Sequence, residues 1–221
     1  MAPRFCLCHI DKDMYGWPHF LCSAEDFCGL KSSLLGGGVN SWWTGSGLRS
    51  CVSMSCFFLL WGEIPYEIGN LQNLQFLRIQ NSNLGGIVPP SIFNISTLRE
   101  VALANNKLSG GIPSSIDVGL PNLEGLFLPN NKLSGIIPTS ISNLSNLVML
   151  EFGSNSFSGS IPAEIGNLPS LVYLLLPNNS LTGSIPSTIF NMSTLKGIAL
   201  YMNNLTGQLP SSIGLSLPNL D

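Results

Sequence analysis

Large apolar residues recur along this chain with a period of about 24 residues. In each period an apolar–x–apolar pair, such as Leu174 and Leu176 in "LVYLLLPNN", alternates as in a β-strand, so both side chains face the same side. One coil of this length cannot enclose its apolar side, whereas stacked coils can. The pattern predicts an α/β solenoid built mostly of strands, turns and 3₁₀ coils. Six full coils begin at Leu71, Ile95, Leu120, Leu144, Leu168 and Met192.

Polar and turn-forming residues recur between these apolar positions. We expect an asparagine after each strand to bond backbone groups that would otherwise be buried without partners. The glycine of the following "LxGxIP" allows a positive φ, and its proline fixes the bend. The asparagines are Asn106, Asn131, Asn155, Asn179 and Asn203, with Ser82 at this position in the first coil.

The whole pattern, "LxxLxxLxLxxNxLxGxIPxxIGNL", resembles the plant-specific class of leucine-rich repeat. This class occurs in the ectodomains of receptor-like kinases and receptor-like proteins, and in polygalacturonase-inhibiting proteins. The resemblance covers the chain from Leu60 onward. It implies a right-handed superhelix with a parallel sheet on its concave side that serves as a binding platform.

The resemblance also implies a function in recognition. The first hypothesis is a ligand-recognition module, a fragment of a plant receptor-like kinase that acts in defence or development signalling. Its expected partner is a protein or peptide ligand, with a co-receptor as a further candidate, and its expected location is extracellular or at the plasma membrane. The alternatives are a secreted inhibitor similar to polygalacturonase-inhibiting proteins and a truncated gene product without function.

The repeat register divides the chain into two predicted parts. Residues 60–221 form the array, which comprises the tail of a broken repeat, the six full repeats and the start of a seventh at Leu217. Residues 1–59 are interpreted as a degenerate N-terminal cap or an irregular leader. In the broken repeat, Phe58 stands where asparagine is expected, and Ser53 and Ser55 stand where strand leucines are expected.

All six cysteines precede the full repeats. "GLKSSLLGGGVNSWW" and the pair Cys51 and Cys56 resemble the cap of the family, which implies a cap disulfide with these two cysteines as candidates. Their spacing is shorter than in the family, and the "WxGV" between them is missing. For the other cysteines there are two interpretations, namely disulfides within a cap and unpaired thiols. A zinc site is a further alternative, but its ligand spacings match no standard pairing, and we expect no metal or other cofactor. Its residues would be Cys6, Cys8, His9, His19, Cys22 and Cys28.

Charge and motifs exclude several functions. Charged residues make up 10% of the chain and the net charge is −3, so a nucleic-acid partner is not expected. The apolar run 56–61 is too short to span a membrane, and residues 1–30 lack the pattern of a secretory signal. Because His9 and His19 are the only histidines and no catalytic or kinase motif occurs, we do not expect an enzyme. Glu100, Glu124 and Glu151 are interpreted as solvated strand positions.

The residues that alternate with the strand leucines should point outward and form the working surface. Exposed aromatic and apolar residues are typical of binding hot spots. The candidate ligand-binding residues are Phe127, Met149, Glu151, Tyr173, Leu175 and Tyr201.

Five N-x-S/T triplets are candidate glycosylation sites. Three of them share one position after "IPxxI", which would keep a glycan away from the sheet, although this position also follows simply from the repeat pattern. The asparagines are Asn94, Asn143, Asn178, Asn191 and Asn204.

Overall fold

A computed structural model describes residues 9–12, 18–21, 52–57, 61–210, 217 and 219. Two short strands near the N-terminus, β1 (His9–Lys12) and β2 (Pro18–Leu21), pair antiparallel. Cys6, Cys8, Cys22, Cys28 and Cys51 lie outside the described residues, so the cap disulfide and the zinc alternative are not tested.

Seven parallel strands, one from each successive coil, form the largest sheet. Each strand pairs with the equivalent strand of the next coil, as the predicted solenoid requires. We call this the seven-stranded sheet. In chain order its strands are β3 (Ser53–Phe57), β5 (Phe76–Gln80), β7 (Glu100–Ala102), β9 (Gly125–Phe127), β11 (Met149–Glu151), β13 (Tyr173–Leu175) and β15 (Gly197–Ala199).

A second row of short parallel strands follows the first, and the sequence pattern did not predict it. These strands cover the "LxGxIP" positions, where the repeated glycines have positive φ, for example 87° at Gly135. We call this row the turn-side sheet. It consists of two paired groups. The first is β4 (Trp61–Glu63) with β6 (Asn83–Gly85). The second contains, in order, β8 (Ser109–Gly110), β10 (Lys132–Ile136), β12 (Ser156–Ser160), β14 (Ser180–Ser184) and β16 (Asn204–Thr206).

Single 3₁₀ helices close most coils. Each begins after a proline of the repeat, whose extended backbone leads into the helix. The helices are Tyr66–Asn70, Pro90–Asn94, Thr139–Asn143, Ala163–Asn167 and Ser187–Asn191.

The coil that ends before Leu120 carries one extra residue and forms turns instead of a 3₁₀ helix. A Cβ at Gly119 would lie 1.8 Å from the carbonyl oxygen of Phe93. The extra residue is therefore accommodated by bringing backbone against backbone, which only glycine permits.

A continuous apolar core runs through the stack from Met54 to Leu217. The strand leucines, such as Leu174 and Leu176, are completely buried. In the fourth full coil phenylalanines replace leucines, and the rings of Phe152 and Phe157 stack with centroids 5.0 Å apart. The core shows that each coil covers its neighbours, as stacking requires.

The first strand corrects one detail of the sequence register. β3 pairs with β5 so that Met54 aligns with Leu77 and Cys56 aligns with Ile79. The strand leucine positions are therefore not occupied by Ser53 and Ser55, and Met54 is buried like the leucines of later coils. The physical reason is that this coil is one residue shorter between its strand and its proline than the next coil is.

No helix among the described residues is long and apolar enough to cross a membrane.

Candidate ligand-binding face

Outward-facing residues of the seven-stranded sheet form two aligned rows across the coils. We call them the outer rows. Strand register fixes both, because every strand pairs in parallel with the equivalent positions of its neighbours. The first row is Phe76, Glu100, Gly125, Met149, Tyr173 and Gly197, and the second is Arg78, Ala102, Phe127, Glu151, Leu175 and Ala199.

An asparagine ladder holds these strands at a fixed distance. The Asn155 side-chain amide donates to the carbonyl of Leu128 on the preceding coil at 2.9 Å and to the carbonyl of Phe152 at 3.1 Å. Its Oδ1 accepts the backbone N–H of Leu133, also on the preceding coil, at 3.0 Å. Ladder residues that make the same set of bonds are Asn106, Asn131, Asn179 and Asn203.

Glycines beside the aromatic residues leave room for the rings on this face. A Cβ at Gly125 would lie 2.4 Å from the ring of Phe127, and one at Gly197 would lie 2.8 Å from the ring of Tyr173. Both rings therefore lie close to bare backbone. This arrangement presents part of each ring as flat surface, and both residues are partly exposed.

The other predicted apolar residues differ in accessibility. Leu175 is partly exposed and Tyr201, which follows β15, is strongly exposed. Met149 lies between Gly125 and Tyr173 in the register but is fully buried. It therefore offers no surface to a ligand in this structure, unlike the other five predicted residues.

Glu151 is the charged residue at the centre of this surface. In the register it lies between Phe127 and Leu175, and no described residue donates a hydrogen bond to its carboxylate. Burial removes water from the carboxylate and raises the pKa of Glu151 above its ordinary value of 4.5. A carboxylate in this state gains free energy from any partner that brings a hydrogen-bond donor or a positive charge.

A buried ion pair occupies the N-terminal end of the outer rows. Arg78 donates from Nε and Nη2 to the two carboxylate oxygens of Glu100, each at 2.5 Å, and its guanidinium lies 4.9 Å from the centre of the Phe76 ring. Glu100 is thus not a solvated position, contrary to the sequence interpretation, because its partner lies on the preceding coil. The signal that could have found the pair is two opposite charges at outward positions of adjacent coils.

The remaining glutamate of the predicted three is bonded at the edge of the sheet. Arg99 donates to Glu124 at 3.2 Å, and both side chains are partly exposed. The three glutamates therefore have three different environments and form no acid pair. Among the described residues, no three histidine, cysteine, aspartate or glutamate side chains are grouped so that they could hold a metal.

The glycosylation candidates are all exposed. Asn94, Asn143 and Asn191 each end a 3₁₀ helix, away from the seven-stranded sheet. Asn204 lies on the turn-side sheet. Asn178 follows β13 with a φ of 55°, so a glycan there would stand beside the outer rows.

Comparison with known families agrees with this geometry. A leucine-rich repeat model matches residues 121–181, and a second leucine-rich repeat model matches residues 73–95 and 97–118. Comparison with curated proteins gives no match.

Solved structures extend the match to most of the chain. Pollen receptor kinase 3 is 33% identical with a TM-score of 0.67, and the alignment covers 78% of this chain and 84% of that one. The chain belongs to the family of plant leucine-rich repeat receptor kinase ectodomains. The repeat fold of these ectodomains is non-catalytic.

Two larger ectodomains from Arabidopsis match this leucine-rich repeat chain with a TM-score of 0.70 each. The receptor kinase GASSHO1/SCHENGEN3, solved with CASPARIAN STRIP INTEGRITY FACTOR 2, is 39% identical over 75% of this chain and 20% of its own. The receptor kinase HAESA, solved with the peptide hormone IDA and the co-receptor SERK1, is 33% identical over 73% of this chain and 27% of its own. This chain therefore spans between a fifth and about a quarter of the length of these two ectodomain chains.

Proposed function

We propose that this leucine-rich repeat chain is a ligand-recognition module that binds a peptide or protein on its outer rows. The observation that carries the proposal is the carboxylate of Glu151, which is desolvated between Phe127 and Leu175 and receives no hydrogen bond from a described residue. Holding the charged carboxylate away from water in the folded chain costs free energy, and a hydrogen-bond donor on a bound ligand would offset that cost. Flat aromatic surface beside it supplies the apolar part of such a contact.

The related receptors support this proposal. HAESA binds a peptide hormone and a co-receptor. By analogy, this chain would bind a peptide ligand and a co-receptor. As part of a receptor-like kinase it would act outside the plasma membrane, in defence or development, and it would have no enzymatic activity of its own.

The test is a binding titration with the recombinant chain and a panel of synthetic plant peptide hormones that includes IDA. We expect Tyr173→Ala and Phe127→Ala to weaken the binding of a panel member by roughly tenfold or more, since aromatic residues dominate such contacts. Their melting curves should match that of the unchanged chain.

A matched control lies on the turn-side sheet. Ile136→Ala removes an apolar side chain that is 66% exposed and lies away from the outer rows, and it should leave binding unchanged. A panel without any binder, or binding that survives both aromatic substitutions, would contradict the proposal.

A further inference from the structure

A groove on the turn side of the first coils is distinct from the outer rows. It has a volume of about 470 Å³ and is lined by Glu63, Pro65, Tyr66, Ile87 and Pro90, among others. We call it the Tyr66 groove. The backbone of Tyr66 is fixed there, because the hydroxyl of Ser91 on the next coil donates to its carbonyl at 2.6 Å.

Large apolar side chains at this groove are unusually exposed. The exposed fractions are 64% for Trp61, 67% for Tyr66 and 58% for Ile87. Trp61 lies two residues before Glu63 on the short strand β4, next to the residues that line the groove. A cluster of this kind is typical of an interaction site rather than of a scattered surface.

The charge of the groove is negative. Glu63 lines it, with its carboxyl carbon 2.8 Å from the place that a Cβ at Gly86 would occupy, and Glu67 follows Tyr66 in the 3₁₀ helix. None of the described residues that line the groove is basic.

A second groove in the same chain shows that the repeat pattern does not require exposed aromatic side chains beside a glutamate at these positions. It has a volume of about 590 Å³ and occupies the same repeat positions 97 residues further along the chain. We call it the Ala163 groove. Both grooves share the frame "GxIPxEIGN". At the equivalent sequence positions 97 residues later, Trp61, Glu63, Tyr66 and Ile87 are replaced by Ser158, Ser160, Ala163 and Ser184.

We propose that the Tyr66 groove binds a basic segment of a partner protein. Its arginine or lysine side chains would lie over Trp61 and Tyr66 as cation–π partners and pair with Glu63 and Glu67. The apolar stems of those side chains would cover Ile87. Charge complementarity favours this occupant over a neutral carbohydrate, which would use the aromatic rings but not the two carboxylates.

The test uses the full chain and a labelled hexa-arginine peptide, with hexaglutamate and cellohexaose as the other probes. We expect hexa-arginine to bind with a stoichiometry of one, and to bind about tenfold more weakly to Trp61→Ser and to Glu63→Gln/Glu67→Gln. Binding should weaken as salt is added. All the substituted side chains are exposed, so the melting curves should not change.

Two variants make the result specific. Glu164→Gln, in the Ala163 groove, should leave hexa-arginine binding unchanged. The transplant Ser158→Trp/Ser160→Glu/Ala163→Tyr/Ser184→Ile should raise the stoichiometry from one to two.

Two outcomes would overturn the inference. One is equal loss of hexa-arginine binding in Glu63→Gln/Glu67→Gln and in Glu164→Gln, which would indicate attraction to the net charge alone. The other is binding of cellohexaose that Trp61→Ser abolishes while hexa-arginine binding persists, which would identify a carbohydrate site. Peptide binding on the outer rows is measured separately, so neither outcome bears on the proposed function.

Discussion

Replacing Asn155 by alanine tests how much the asparagine ladder contributes to stability. The substitution removes the acceptor of the Leu133 N–H and the donor to the carbonyls of Leu128 and Phe152. The carbonyls keep one partner each, because Asn131 still donates to Leu128 at 3.2 Å and Asn179 still donates to Phe152 at 3.0 Å. The main cost therefore falls on the Leu133 N–H.

The expected loss follows from these separate contributions. An N–H that loses its acceptor inside a packed structure costs about 1–3 kcal/mol, and the lost amide–carbonyl bonds add about 1 kcal/mol. The sum is about 2–4 kcal/mol in the free energy of unfolding. Chemical denaturation followed by circular dichroism measures it, and hydrogen exchange at the Leu133 amide locates it.

Asn146→Ala is the matched control for this measurement. Asn146 also donates to a carbonyl of the preceding coil, that of Pro121, at 2.9 Å, but it is exposed. We expect its loss to cost less than about 0.5 kcal/mol, as for other surface substitutions. Equal costs for the two variants, or unchanged exchange at Leu133, would refute the assignment of stability to the ladder.

Other residues give further predictions. Gly119→Ala should lower the free energy of unfolding by about 1–3 kcal/mol in denaturation, because its Cβ would meet a backbone carbonyl of the preceding coil; an unchanged midpoint would argue against the close approach. Met202→Asn should raise stability by about 1 kcal/mol, because Met202 has a φ of 56° at a repeat position where asparagine is the commonest residue; no gain would argue against strain there. Arg78→Met should cost about 3–5 kcal/mol by leaving Glu100 buried without its guanidinium partner, and Arg78→Met/Glu100→Met should recover much of this loss; equal stability of the single and double variants would contradict that reason. The folded state binds the proton of Glu151 more tightly than the unfolded state does, so the free energy of unfolding falls as the pH rises from about 4.5 through the raised folded pKa. Glu151→Gln should therefore raise the free energy of unfolding at pH 7 more than at pH 4. The same pH profile for both chains would contradict the raised pKa.

The sequence predicted the seven-stranded sheet well because its signal is local. Each apolar pair, such as Leu174 and Leu176, is buried in one core whose geometry follows from alternation and period. The turn-side sheet was missed because its strands, such as Ser180–Ser184, contain mostly small polar residues and a glycine with positive φ. Pairing between coils, rather than intrinsic strand preference, makes them strands.

The candidate site was harder to predict because it depends on neighbours in other coils. Alternation placed Met149 in the outer rows. Whether side chains of neighbouring coils cover such a residue cannot be derived from the sequence of one strand. The same limit applies to Glu100, whose environment is decided by Arg78 on the preceding coil. The Tyr66 groove could have been found in the sequence by comparing equivalent positions of different coils, since Trp61 and Tyr66 stand where Ser158 and Ala163 stand later.

The asparagine ladder has a consequence for how such a chain can change in length during evolution. Each amide bonds to a carbonyl and an N–H on the preceding coil, so a gain or loss of a few residues between two ladder asparagines would separate donors from acceptors at that step of the ladder. Tandem duplication or deletion of entire coils preserves every bond. The single extra residue of the stretch that ends at Gly119 lies on the far side of its coil, away from the ladder. Modular growth of the gene is therefore imposed by the spacing of one side-chain amide.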